Sequence, residues 1–404
     1  MKKNIYYAAA AVLVSAGLLS ALKFSMLTGN VPWFSSHLQI DGESYLQGML
    51  SIARERDFLN LRDIYHSPGY QIYLGFLYKL APDPERIFLI VKLLAWLMYA
   101  LSVAMVYRLG AVCLGWRVGL MAAVFLALSA KFHAYGNLLQ YETLLGFLIL
   151  SHVFLLSRWH AHAAWKGLLI PVSAGLLVAA IVLVQLRYLL LVPAGCLCFY
   201  LRARAAQPWA GRRALVPVAA YVLAFLLIAG FWSFHHSIRG GEFVFVSKGS
   251  AFRFQAGNNP NAQGYAWPYP VIVEPSGLNF IRQRPGQFLR LVALRGMYFM
   301  DIKKDVWSIP IPLSGFFGGN RAAWFERIFC LASLLALLGG ILAKGVFESC
   351  GTPPCARLCL LLTLAAGVAG PLLIFSSSRF SVPLLPVIFL FQAVFFDRLL
   401  FRDK

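Results

Sequence analysis

Long apolar runs separated by short polar clusters dominate the chain. Ten of them, near 5–26, 86–107, 111–129, 138–157, 167–186, 188–201, 215–234, 324–343, 357–375 and 380–396, predict membrane-crossing helices, since about 20 apolar residues cross a hydrocarbon core of about 30 Å. Two mixed segments, 27–85 and 235–323, interrupt the rhythm and are too long to be mere connectors. In the first, YLQGMLSIARERDF and GYQIYLGFLYKL space their apolar residues helically and carry aromatics, which predicts short helices lying at the membrane interface. In the second, FRFQAGNNPNAQG sets Gly257, Asn258, Asn259, Pro260 and Gly264 in a pattern of tight turns rather than strand or helix. Asn258 and Asn259 are candidates for substrate contact from that loop. The predicted fold class is an all-α polytopic membrane protein, one domain over 1–404, built as a bundle of about ten transmembrane helices.

Composition agrees: 60% of residues are hydrophobic and mean hydropathy is +0.70, against about 45–50% apolar residues in a soluble domain. A net charge of +20 would suggest nucleic acid in a soluble chain. Its distribution says otherwise, and no nucleic-acid partner is expected. With ten spans, fifteen lysines and arginines, from Lys2 and Lys3 through Arg158 and Arg212 to Lys404, fall at one set of helix ends. The only acids there are Glu348, Asp397 and Asp403. That asymmetry is the positive-inside pattern, so both termini are expected in the cytoplasm of an inner (plasma) membrane protein, with the long segments outside. Lys2 and Lys3 before the first run also fit a signal peptide, but the many spans that follow favour an uncleaved helix. The cysteines lie in spans or on the cytoplasmic side, so no disulfide framework is expected in the outer loops.

The remaining polar residues gather on the outer face. Asp41 and Glu43 stand in QIDGESYLQGML, and Asp41 also suits a helix N-cap. Glu142 lies about one turn into a span, where an acid costs about 2.5–3.5 kcal/mol and so faces a cavity or a partner. A structural ion pair with Arg187 or Lys131 is the bland alternative. Arg187 and Arg379 sit at outer hairpins, against the charge bias, where a guanidinium fork suits a phosphate or carboxylate. Snorkelling to the headgroups is their alternative. His66 and His133 share the face, but no HxH or HExxH spacing occurs there. No cofactor is expected; a divalent metal is compatible with the acids but has no ligand motif.

In order along the chain, DGESY, HSPGYQIYLGFLYKL, YETLLGFLIL and RFSVPLLPVIF, with GNNPNAQG in the large loop, give a chain that resembles the GT-C class of membrane glycosyltransferases. Within it, the protein-mannosyltransferase and aminoarabinose-transferase-like group, glycosyltransferase family 39, is most similar. The resemblance implies inverting transfer of a sugar from a polyprenyl-phosphate donor to a lipid, protein or glycan acceptor at the outer face. Asp41 matches the family's first acid and is the implied base, with Glu43 its substitute, because Gly42 separates acids that the family sets side by side. Glu142 matches the second acid. Arg187, then Arg379, would stabilise the departing phosphate, with Tyr45, His66, Tyr70 and His133 around the substrate. Ser67 stands where some relatives carry a lysine before the proline, which leaves the sugar open. A transporter or flippase of lipid-linked sugars is the competing class, although internal repeats and broken helix pairs, common in transporters, are not seen.

Overall fold

The computed structural model describes residues 42–55, 66–136, 138–159, 165–206, 214–265, 270–305, 319–342 and 354–401. The first expected span and Asp41 lie outside them. Every other expected span coincides with a helix.

Among the described residues, α1 (Gly42–Glu55) and α2 (Gly69–Leu80) come first. They bury Tyr45, Leu46, Met49 and Ile52 of one and Tyr70, Leu74 and Leu77 of the other. Helix α2 also packs onto the bundle. Gly69 allows this: a Cβ there would sit 2.6 Å from the Val184 backbone nitrogen.

The bundle then runs α3 (Pro84–Cys113), α4 (Trp116–Ala127), the short α5 (Ala130–Gly136), α6 (Glu142–Arg158), α7 (Leu169–Val184) and, after a 3₁₀ turn at Leu186–Tyr188, α8 (Leu191–Ala206). Next come α9 (Val216–Phe225) and α10 (Phe231–Gly240), continuous through a π-helical turn at Leu226–Gly230. The second long segment supplies α11 (Gly249–Gly257), α12 (Leu278–Gln283) and α13 (Pro285–Phe299). The last described helices are α14 (Gly319–Leu342), α15 (Pro354–Leu373) and α16 (Leu385–Phe401), the last preceded by a 3₁₀ turn at Ser378–Leu384. One expectation needs correcting here. FRFQAG is the end of helix α11, and the tight turns begin only at Asn258.

Helix α6 lies inside the bundle, against α3, α7 and α15, and buries Glu142, Leu145, Ile149 and Val153 completely. The outer helices instead expose apolar stripes, such as Leu89, Leu93, Leu97 and Leu101 on α3. Such a stripe, spaced by four, is the face a bilayer covers. Four helical stretches, Arg86–Cys113, Leu186–Ala205, Val216–Gly240 and Ser378–Phe401, are long and apolar enough to cross one.

The second long segment is tied down by one arginine. Arg295 of α13 is fully buried. It donates to the Leu372 carbonyl at 2.8 Å, to the Gly257 carbonyl and to Asn258 Oδ1 at 3.1 Å. It thus caps the C-termini of α15 and α11 together, where helix dipoles favour a cation. Burial pulls its pKa down to about 10, so it remains charged at neutral pH.

Candidate active site

The turn that carries Arg379 is not a surface hairpin. Ser377 caps it by accepting from the Arg379 backbone N–H at 3.3 Å, Pro383 interrupts the α-helical bonding pattern, and every residue from Ser378 to Leu384 is buried. Arg379 is thereby placed on the start of α6. Its Nε lies 3.4 Å from Glu142 Oε1, and its Nη2 donates to the Tyr141 hydroxyl at 3.2 Å. The structural ion pair foreseen for Glu142 exists, but its described partner is Arg379, not Arg187 or Lys131. Lys131 instead pairs with Asp301 at 3.1 Å. Gln185 Nε2 also donates to the Tyr141 hydroxyl, at 2.7 Å.

Aromatic rings join this pair to α1 and α2. Tyr45 meets Tyr70 edge-on at 5.0 Å, Tyr141 at 6.1 Å and His66 at 6.0 Å between centroids. The Tyr70 hydroxyl is buried without a hydrogen-bond partner among the described residues. Burial, then Tyr73 and Glu142, raise its pKa well above the ordinary value. The side-chain amides of Gln71 and Gln140 are likewise buried and unpartnered. Polar groups left this way mark places completed by water or a ligand.

Arg187 behaves differently from Arg379. Its guanidinium stacks on Phe380, 3.3 Å from the ring centroid, and it makes no hydrogen bond or ion pair with a described residue. Gly370 makes room for its turn, since a Cβ there would stand 2.3 Å from the Arg187 carbonyl oxygen. Half-buried, Arg187 lines a cavity of about 80 Å³ with Gln185, Ser247, Ser250 and Arg253 on its polar side and Pro371, Ile374 and Phe375 on its apolar side. Arg253 and Arg379 both lie within electrostatic reach of it.

The HSPG segment closes the rim. Ser67 Oγ accepts from the Leu186 N–H at 3.4 Å, and His66 Nδ1 is 3.0 Å from Arg253 Nη2. A guanidinium only donates, so Nδ1 is the acceptor and the ring's proton is on Nε2. Opposite, Ser247 N–H bonds back to the Phe245 carbonyl at 2.7 Å around Val246, whose φ is +64°. This γ-turn, centred on a β-branched residue, stores about 1–3 kcal/mol of strain. It is held by Trp232 Nε1, which donates to the Val246 carbonyl at 3.2 Å, and by Ser233 Oγ, which accepts from the Val246 N–H at 3.3 Å. The turn delivers Ser247 to the cavity just before the N-terminus of α11.

The other expected residues fall on both sides of this line. Tyr45, His66 and Tyr70 join Glu142, Arg187 and Arg379. Glu43 is exposed, while Tyr45 two residues on is buried. His133 is packed away from the cavity, its Nε2 2.9 Å from the Tyr99 hydroxyl and 3.1 Å from the Ala127 carbonyl; burial lowers its pKa. Asn258 and Asn259 are fully buried and their amides donate to helix-end carbonyls, those of Phe254 and Leu373 and of Gln255 and Ala256. They hold α11 in place. Arg253, Ser247 and Ser250 were not singled out by the sequence. Among the described residues no group of three or more His, Cys, Asp or Glu is placed to hold a metal ion.

No family model matches the chain, and no curated protein does. Solved structures do. The oligosaccharyltransferase of Archaeoglobus fulgidus in its apo form aligns over 97% of this chain and 51% of its own, with TM-score 0.51 and 14% identity. The same organism's AglB, in complex with an inhibitory peptide and a dolichol-phosphate, aligns over 96% and 50%, with TM-score 0.50 and 14% identity. ArnT from Cupriavidus metallidurans, bound to undecaprenyl phosphate, aligns over 96% and 78% at TM-score 0.45 and 13% identity. The chain spans about half the length of the oligosaccharyltransferase it matches. At such identity the likeness speaks for the fold, and that fold is the GT-C membrane bundle expected from the sequence.

Proposed function

We propose that the chain transfers a sugar from a polyprenyl-phosphate donor to an acceptor hydroxyl at the end of the bundle that carries its two long segments. One observation carries the reading: Arg187, with no anionic partner among the described residues, lines a small cavity, beside a buried Glu142–Arg379 pair, in a bundle whose apolar outer face suits a bilayer. A donor confined to the membrane by its chain would bring its phosphate to this level. The fold shared with an oligosaccharyltransferase solved in complex with a dolichol-phosphate supports the same reading.

In this reaction the acceptor oxygen attacks the sugar's anomeric carbon with inversion, while a carboxylate takes the hydroxyl proton. The bond between that carbon and the phosphate oxygen breaks, and its electron pair leaves with the carrier. Asp41 is the base we assign. It lies outside the described residues, but directly precedes Gly42, the first residue of α1, whose Tyr45 packs on Tyr141. Exposed Glu43 is the weaker choice. Arg187 meets the charge that develops on the leaving phosphate, a role worth about 10²–10³ in rate for one well-placed donor. Glu142, committed to Arg379, holds that arginine and Tyr141 in position. Gln71, Gln140 and Tyr70 supply buried groups able to bond sugar hydroxyls.

The test is transfer by the purified protein in lipid vesicles, read as a new glycosidic bond by mass spectrometry. Asp41→Asn should lower transfer by about 10²–10⁴-fold while donor binding survives. Unchanged transfer would remove Asp41 from its role, and movement of intact donor across the vesicle without a new bond would favour a flippase.

A further inference from the structure

Helix α13 has two faces of opposite kind. One buries Leu291, Arg295, Tyr298 and Phe299. The other leaves Leu289, Arg290, Ala293 and Met297 exposed, a stripe at helical spacings of three and four. Short α12 before it adds exposed Leu278 and Arg282, and Arg284 stands at the joint of the two helices. Leu278 is 60% and Leu289 65% exposed. One exposed leucine would need no explanation, but a row of apolar side chains set among arginines does. From Leu278 to Phe299 the only charged residues are Arg282, Arg284, Arg290 and Arg295. Arg295 is spent on carbonyls and Asn258. The other three are exposed and make no hydrogen bond or ion pair with a described residue. Acids on either side are committed elsewhere. Glu274 accepts from the Ser276 N–H at 3.0 Å and from its Oγ at 3.1 Å, and Asp301 pairs with Lys131 and Lys304.

The level of this surface is fixed from its buried side. Arg295 donates to the Leu372 carbonyl in the last turn of α15, and a Cβ on Gly296 would stand 3.9 Å from the Leu372 side chain. Helix α15 carries the expected span 357–375, so α13 lies where that span ends. A basic helix at that level, with apolar side chains on its open face, suits a charged lipid surface. Its arginines bond headgroup phosphates through the guanidinium fork, and its apolar side chains enter the acyl boundary. A soluble polyanion would engage the arginines but leave Leu278, Leu289 and Met297 in water. We propose that the exposed face of α12 and α13 docks on the headgroups of anionic phospholipids through Arg282, Arg284 and Arg290. The docked face is tied to the cavity wall, because Arg295 joins α13 to the end of α11 and α11 carries Arg253. The lipid contact goes beyond the transferase reading and stands without it.

The experiment purifies the full chain in micelles doped with equal amounts of phosphatidylglycerol and phosphatidylcholine and counts the retained lipids by native mass spectrometry. The wild type should retain the anionic lipid in excess. A variant carrying Arg282→Gln, Arg284→Gln and Arg290→Gln together should lower the ratio of the two lipids at least about fivefold, the factor that a single basic residue contributes near a charged surface. Its melting temperature without lipid should match the wild type, because the three side chains are exposed and uncommitted. Lysine at the same three positions keeps the charge and should restore most of the ratio. Leu289→Ser with Met297→Ser should reduce the amount of both lipids retained. Equal retention of the two lipids by the wild type would overturn the proposal, and so would a ratio unchanged in the glutamine variant. Retention untouched by the serine pair, with arginine-dependent binding of inorganic polyphosphate to lipid-free protein, would make this a surface for a soluble polyanion and overturn it as well. The full lipid pattern in a protein that transfers no sugar would support the docking and sink only the transferase reading.

Discussion

Arg187 and Arg295 are both arginines drawn in from the surface, and neither meets a carboxylate among the described residues. They differ in what receives their N–H groups. Arg295 spends its two terminal nitrogens on the Leu372 and Gly257 carbonyls and on Asn258 Oδ1, and has no surface left exposed. Arg187 stacks on a ring and faces a cavity. The first arginine is a cap on two helix ends. The second is an incomplete anion site. Burial alone does not separate a structural cation from a functional one; the inventory of acceptors does.

The comparison breaks first at Arg295. Arg295→Leu should cost the most stability, about 1–3 kcal/mol for each of the buried acceptors it orphans, read as a large fall in melting temperature. If the variant melts like the wild type, the clasp is not what holds α11. Glu142→Gln comes next. It leaves Arg379 buried beside a neutral amide, and breaking a buried pair costs about 3–5 kcal/mol, again by thermal denaturation. Arg187→Gln should reverse the pattern, lowering transfer by about 10²–10³-fold, or about 2.7–4 kcal/mol, with the melting temperature near that of the wild type. A variant that loses both together would make Arg187 a structural residue like Arg295.

The smallest expected effect concerns His133. Its buried ring has a pKa lowered from 6.5, so below that pH the unfolded chain takes up a proton that the folded ring refuses. Stability contributed by the neutral ring should therefore be whole above pH 6.5 and decline as pH falls, by at most about 1.4 kcal/mol per pH unit. His133→Gln should flatten the curve, and transfer should be little changed, since the ring lies away from the cavity.

Much of this arrangement was legible in the chain. Apolar runs located the helices because bilayer thickness sets their length. The segments HSPGY, YETLL and RFSVPL were read as parts of one site, and Tyr70, Glu142 and Arg379 from them do meet around Tyr141 at the start of α6. What escaped depended on distant partners. The Glu142 carboxylate could have paired with any of several outer cations, and only the insertion of the 378–384 turn selects Arg379. GNN was recognised as a turn, yet its purpose depends on Arg295, which lies far along the chain. Arg253 belongs to a long segment rich in basic residues, where charge singles out none of them. Ser247 has no local signal, because its placement follows from a γ-turn held by Trp232 and Ser233.

The most direct test compares wild type and Arg187→Gln in vesicles prepared with polyprenyl-phosphate sugars and an envelope extract as acceptor, followed by mass spectrometry. The wild type should consume donor, release polyprenyl phosphate and form a glycosylated product, and the variant should leave the donor intact. Donor that stays unreacted with the wild type, or equal product from both proteins, would contradict the account.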